Sequence, residues 1–194
     1  MGSIRIIAGR FRGRVLKVPD VDGLRPTGSK VREALFNILG QDLTGRTVLD
    51  LYAGTGALGF EAASRGARRV VFVESNRDLV LGLRRSAEVL GVEGATRVVA
   101  GRVDDVLEAG TLQGPFDVIL ADPPYGDIDP RELARRTDRA GILRHDGVLV
   151  VETPRIEPPP QAEAGLSLVR STRYGGTSLS FFEYRKPRSP ADES

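Results

Sequence analysis

The sequence predicts an α/β fold: a doubly wound sheet of parallel strands with helices on both faces, brought to seven strands by an antiparallel C-terminal hairpin and preceded by a small N-terminal β-hairpin. Three observations predict it. From Thr47 onward, short apolar runs alternate with stretches of helical periodicity. Five of those runs are apolar on both faces, as strands covered by helices on each side must be. Near the C-terminus, two strand-like runs flank Gly175-Gly176 with no room for a helix between them, so they form a hairpin.

In chain order, residues 4–8 and 14–18 read as the strands of the N-terminal hairpin, around Gly9 and Gly13. Leu24-Arg25-Pro26-Thr27 breaks the chain. Ser29 stands where a helix cap is wanted, and Val31, Ala34, Leu35 and Ile38 recur at helical spacing until Gly40 stops them. The five parallel strands are read at 48–51, 70–73, 97–100, 118–121 and 148–151, and the helices between them at about 58–65, 77–90, 103–109 and 130–140. The closing hairpin is read at 166–174 and 178–185. The chain divides into a basic hairpin extension (1–27), an α/β domain (28–187) and a loose polar tail (188–194), with the prolines at 158–160 as a connector.

A chain of 194 residues, 40% hydrophobic and 28% charged, has the size and composition of one globular domain that buries its own core. It has no cysteine and one histidine, His145, so disulfides and thiolate zinc sites are excluded and no metal is expected. No apolar run suits a signal peptide or a membrane span, which makes the cytoplasm the expected compartment. Residues 1–36 carry eight basic side chains against three acidic ones, a net +5 that leaves −3 for the rest of a chain of net charge +2. A basic arm on a mildly acidic body suits a part that neutralises phosphates, although a solvated arginine-rich hairpin accounts for the charge equally well.

Val48-Leu49-Asp50-Leu51-Tyr52-Ala53-Gly54-Thr55-Gly56-Ala57-Leu58-Gly59 reads as a strand, a glycine-rich turn and a helix start. Glu74 ends the next strand about twenty residues on, where a carboxylate can accept both hydroxyls of a ribose, so the site wants an adenosine-type ligand. Tyr52, Ala53, Gly54 and Gly56 in the turn and Ser75 beside Glu74 are further candidate cofactor-binding residues. Gly54-x-Gly56-x-x-Gly59 also matches the dinucleotide fingerprint. Asp50 tilts the choice, since a carboxylate just ahead of the glycines suits a ligand with a cationic amino acid moiety and repels a pyrophosphate. The plainer alternative is a structural turn without a ligand.

Asp122-Pro123-Pro124-Tyr125 follows the fourth strand, and ligands of such sheets sit outside the carboxyl ends of the strands. The prolines stiffen the turn, so the Asp122 carboxylate and the Pro123 carbonyl point at one place. A base amine is a poor nucleophile because its lone pair is delocalised. Two acceptors gripping its N–H groups favour the more tetrahedral nitrogen that attacks a methyl sulfonium. Tyr125 offers a face for stacking an extruded base. Asp-Pro-Pro is also an ordinary turn sequence.

These segments, with Ile4-Arg5-Ile6-Ile7-Ala8-Gly9, Arg12-Gly13-Arg14, Leu24-Arg25-Pro26-Thr27, Val31-Arg32-Glu33-Ala34-Leu35-Phe36-Asn37 and Phe72-Val73-Glu74, resemble the bacterial small-subunit ribosomal RNA guanine-N2 methyltransferase family, RsmD, over nearly the whole chain. The resemblance implies the class I S-adenosylmethionine-dependent methyltransferase fold, Rossmann-like, with S-adenosylmethionine as cofactor and S-adenosylhomocysteine as product. It implies that the adenine rests near Arg102 and Val103 and that Asp122 to Tyr125 bind the target amine. The substrate implied is 16S ribosomal RNA within an assembling small subunit, met by a monomer. The candidate RNA-binding residues are Arg5, Arg10, Arg12, Arg14, Lys17, Arg25, Thr27, Lys30 and Arg32. Arg84-Arg85-Ser86 departs from relatives that often carry Asn there.

Other readings stay open on the residues alone. An adenine-N6 methyltransferase shares the chemistry, and the choice of guanine depends on the resemblance. A nicotinamide-dependent oxidoreductase shares the glycine fingerprint but is opposed by Asp50, the closing hairpin and Asp122 to Tyr125. A non-catalytic RNA-binding protein is opposed by the intact tetrapeptide. His145 reads as a loop residue before a strand, and Asp104 and Asp105 as either a helix start or a border to the adenine.

Overall fold

The computed structural model describes residues 2–19, 21, 28–124, 128–154 and 165–184. The expectations placed on Arg25, Thr27, Tyr125, the connector at 158–160 and the tail at 188–194 lie outside the described residues.

The elements run β1 (Gly2–Arg5), β2 (Val15–Val18), α1 (Ser29–Leu39), β3 (Thr47–Leu51), α2 (Ala57–Ser64), β4 (Arg69–Glu74), α3 (Arg77–Leu90), β5 (Thr96–Ala100), α4 (Val103–Glu108), β6 (Phe116–Ala121), α5 (Pro130–Arg139), β7 (Leu143–Pro154), β8 (Leu166–Tyr174) and β9 (Thr177–Tyr184). The main sheet has seven strands in the order β5-β4-β3-β6-β7-β9-β8. The first five pair in parallel, and β9 pairs antiparallel with both β7 and β8. This is the predicted mixed sheet closed by a hairpin.

Local chemistry explains several boundaries. Asn76 caps α3 by accepting from the N–H groups of Asp78 at 2.9 Å and Leu79 at 3.2 Å. At α1 the expected cap is corrected: Gly28 occupies the cap position with no side-chain hydrogen bond, and Ser29 is the first helical residue. β5 is also corrected from its two-sided apolar reading, since its residues are half-buried or exposed. It is an edge strand held by β4 alone, so less of it is covered.

Side-chain alternation sorts the core into two layers. Val48, Val70, Phe72, Val118, Leu120 and Val150 pack on one face of the sheet against α1, α2 and α3. Leu49, Leu51, Val71, Val73, Ile119 and Val151 pack on the other against α4 and α5. Burial of each large apolar side chain contributes about 1.5–3 kcal/mol, so the layers hold the strand ends in fixed register.

The N-terminal hairpin is part of that first layer: Ile4, Ile6, Leu16 and Val18 are buried in it. Its turn is latched to α2. The Ser64 carbonyl accepts the Arg10 N–H at 2.8 Å, and the Ser64 hydroxyl accepts the Phe11 N–H at 3.0 Å. Gly9 has φ +77°, and a Cβ there would fall 2.0 Å from the Ser64 carbonyl oxygen, so only glycine permits this approach. The deepest latch is Glu61, fully buried, which accepts the N–H groups of Ile7 and Ala8 at 2.9 Å each and pairs with Arg65 at 2.9 Å.

Candidate active site

The site lies where β3, β4, β6 and β7 end. Register makes Leu51, Val73, Ala121 and Val151 neighbours across these strands. Glu74 and Glu152 are the next residues on β4 and β7, and Asp122 is the first past β6, so they leave the sheet at one level and on one face, that of α1 to α3. Asp50 on β3 shares this face one pleat below, opposite Phe72 and Leu120. Four carboxylates thus gather at one end of the sheet.

The glycine turn is braced from beneath. Asp50 is buried, and its Oδ2 accepts the Gly59 N–H at 2.8 Å, fixing the start of α2. Burial holds its carboxyl well above the usual carboxylate range; the Gly59 N–H opposes the shift, and the charges of Asp122 and Glu74 add to it. In the pleat Asp50 thus lies beneath the glycine loop and braces it through this bond. Glu74 is the carboxylate at the rim. Its Oε2 accepts the Gly54 N–H and its Oε1 the Asn76 N–H, both at 2.8 Å, so it ties the turn to the end of β4. Tyr52, at φ 57°, and Gly56, at φ 77°, turn the chain back over the strand end. A Cβ at Gly56 would lie 2.5 Å from Leu83 Cδ2, so the turn depends on glycine there.

The other cofactor candidates are brought together to different degrees. Ala53 is buried in the turn and donates its N–H to the Val73 carbonyl at 3.0 Å. Ser75 is exposed beside Glu74. The Gly101 N–H bonds the Glu74 carbonyl at 2.9 Å and so carries the loop to Arg102 alongside. Arg102 is exposed, 3.8 Å from Asp104, whereas Val103 is buried in the second core layer. Asp104 and Asp105 lie in the first turn of α4, and Asp104 pairs with Arg136.

On the acceptor side, Asp122 is half-buried, Pro123 buried and Pro124 exposed. Glu152, which the sequence reading passed over, is 8% exposed. Burial, then the charge of Asp122, pushes its carboxyl up to about 8. A signal for it does exist: Val151-Glu152 ends an apolar run as Val73-Glu74 and Ala121-Asp122 do. His145 lies within β7 rather than in a loop, exposed and edge-on to the Tyr184 ring at 5.3 Å between centroids.

The basic arm presents Arg5, Arg10, Arg12, Arg14, Lys17 and Lys30 at the surface. The Arg10 and Arg14 guanidinium groups lie 4.5 and 5.7 Å from the Phe11 ring centre. Arg32 is a correction. It is 5% exposed, donates to the Arg5 carbonyl at 3.2 Å and lies 3.8 Å from Glu61 Oε2, so its charge is spent inside and not on RNA. No cluster of potential metal ligands occurs among the described residues, and no described helix is long and apolar enough to cross a membrane.

Comparisons agree with this architecture. Ribosomal RNA small subunit methyltransferase D of Escherichia coli (strain K12) is 34% identical over 182 residues, covering 94% of this chain and 90% of that protein. Putative rRNA methyltransferase YlbH of Bacillus subtilis (strain 168) is 31% identical over 183 residues, covering 94% of this chain and all of that protein. The solved structure of the putative methyltransferase yhhF from Escherichia coli superposes with a TM-score of 0.82 at 34% identity, over 94% of this chain and 98% of that one. The family model described as Conserved hypothetical protein 95 matches residues 4–183, and with these relatives it shows that the chain belongs to that family, the ribosomal RNA small subunit methyltransferase D family.

Proposed function

We propose that this protein transfers a methyl group from S-adenosylmethionine to the exocyclic N2 amine of a guanine in small-subunit ribosomal RNA. The observation that carries the reading is the juxtaposition of the glycine turn after β3, with Glu74 on its far side at the end of β4, and the Asp122-Pro123-Pro124 turn after the neighbouring β6, all at the same end of the sheet. Membership of a family whose members bear ribosomal RNA methyltransferase names supports it.

The residues fit the cofactor. Glu74 offers a carboxylate to the ribose hydroxyls, and the turn at Gly54 and Gly56 leaves backbone close to a ligand. Glu74 against the glycine turn and Asp122 at the end of the neighbouring β6 favour a cationic ligand and repel a pyrophosphate, which disfavours a dinucleotide. Bound S-adenosylmethionine supplies a methyl group on a positively charged sulfur. Asp122 and the Pro123 carbonyl accept the two N–H groups of the target amine and localise its lone pair. Asp122 then takes, directly or through water, the proton the nitrogen loses once the N–C bond has formed and the C–S bond has broken. The arm presents cations to phosphates, which reads backbone shape rather than sequence. The setting we propose is cytoplasmic, on RNA within an assembling subunit, with one copy of the chain acting alone.

Tritium transfer from the labelled donor to 16S ribosomal RNA and to genomic DNA tests the assignment. Label in guanine of the RNA is expected, and label in DNA alone overturns it. Calorimetry should find binding of S-adenosylhomocysteine, whereas binding of NADH alone reverses the cofactor assignment. Reversing Arg10, Arg12 and Arg14 to glutamate should weaken RNA binding and reduce the slope of log K against log salt by about two to three. An unchanged slope in filter binding would make the arm mere solvated surface.

A further inference from the structure

Glu152 lies beside Asp122 on the side away from the glycine turn. Ala121 and Val151 are register partners in the parallel β6–β7 ladder, so Asp122 and Glu152 leave the sheet together, roughly 4.8 Å apart at the backbone. Across the sheet the order β4, β3, β6, β7 places Glu74, the glycine turn, Asp122 and Glu152 in a row. A base whose amine rests on Asp122, with the methyl donor on the Glu74 side, has its remaining edge over Glu152. Glu152 is more than nine-tenths buried, and its Oε2 has no hydrogen-bond partner among the described residues. A buried carboxyl oxygen left unpaired is costly, so its place at a substrate site calls for a donor that arrives from outside the chain.

We infer that Glu152 reads the target base, its carboxyl accepting N1–H of the guanine while Asp122 and Pro123 hold the adjacent N2 amine. The inference rests on the guanine-N2 reading given above. On guanine, N1–H lies next to the amine and O6 lies beyond it. One carboxyl oxygen accepts N1–H in either protonation state, and a protonated carboxyl also donates its O–H to O6. Burial and the Asp122 charge, which push the group up to about 8, favour that neutral form before the base arrives. Asp122 therefore grips the reacting group, and Glu152 decides which base carries it.

The test uses small subunits partly assembled on 16S RNA that carries guanine or 2-aminopurine at the nucleotide the wild-type protein labels. 2-Aminopurine keeps the amine but lacks N1–H and O6, and its fluorescence reports entry of the base into the site. Wild type should prefer guanine by at least about tenfold in kcat/KM, because a site built to pair a polar group rejects the analogue that lacks it. Glu152→Ala should bring the two RNAs within about threefold of each other. Glu152→Gln, whose carboxamide offers the same acceptor and donor, should stay within about threefold of the wild-type preference. Each ratio compares two RNAs on one preparation, so partial unfolding of a variant cancels. If Glu152→Ala keeps the tenfold preference, the inference falls while the guanine reading stands; if wild type labels neither RNA, both fall.

Discussion

Asp122→Ala is expected to lower the rate of methyl transfer by about 10²–10³-fold while leaving S-adenosylhomocysteine affinity within about threefold of wild type. In the proposed reaction the carboxylate accepts from the amine, and that bond strengthens only as the nitrogen becomes tetrahedral and then cationic, so its loss is felt in the transition state. The cofactor turn is held instead by the Glu74 bonds to Gly54 and Asn76 and by the Asp50 bond to Gly59, which the substitution leaves in place. Asp122→Asn keeps one acceptor oxygen and should lose less. Single-turnover kinetics beside calorimetry separates the two effects, and equal loss of turnover and of cofactor binding would remove Asp122 from the chemistry. Loss of its charge should also let the Glu152 carboxyl fall from about 8, since that charge is one of the two causes of the elevation.

Glu61→Ala is expected to be the most destabilising single change, at about 3–5 kcal/mol, a large part of the roughly 5–15 kcal/mol of a typical domain. Glu61 has no exposed surface, and its oxygens accept two backbone N–H groups from the arm and two from Arg65. Arg32 lies 3.8 Å away, its pKa lowered by burial and partly restored by Glu61. Removing the carboxylate leaves two buried guanidinium groups without their counter-charge and two arm amides without their acceptor. Urea denaturation measures the loss, and limited proteolysis should show cleavage near Ile7 and Ala8 before the sheet is attacked. Glu61→Gln, which keeps the shape and one acceptor, should fall between wild type and alanine. A loss under about 1 kcal/mol for Glu61→Ala would mean that the arm is held by its apolar side chains alone.

The reach of sequence reasoning can be seen residue by residue. Strands 48–51, 70–73 and 118–121 were legible because an apolar run bounded by turn residues has few other uses, and the structure extends each by one or two residues in all. The place of Glu74 at a strand end beside the glycine turn was legible because it depends on spacing along the chain, a local quantity. Arg32 was misread because charge reveals nothing of direction: in the basic arm it looks like its neighbours, yet its helix turns it towards Glu61. That Asp50 braces the start of α2 through the Gly59 N–H was not legible, because the bond spans nine residues across the turn and depends on how the turn folds back over the strand. Glu61 was overlooked inside an apolar helix, where a lone carboxylate is itself the anomaly, since its partners Ile7 and Ala8 lie 54 and 53 residues away.

By itself the sequence determined the order of strands and helices, the hairpins at both ends, the glycine turn with a carboxylate at the end of the next strand, and the place of Asp122 just past the fourth parallel strand. These depend on periodicity and spacing over a few residues, which physical chemistry reads locally. Only the tertiary structure decided that four carboxylates converge at the strand ends, that Glu152 stands beside Asp122, and that Arg32 and Glu61 lock the arm to the body. Those facts follow from the register between strands and from the packing of segments far apart in the chain, and neither is encoded in the pattern of any one segment.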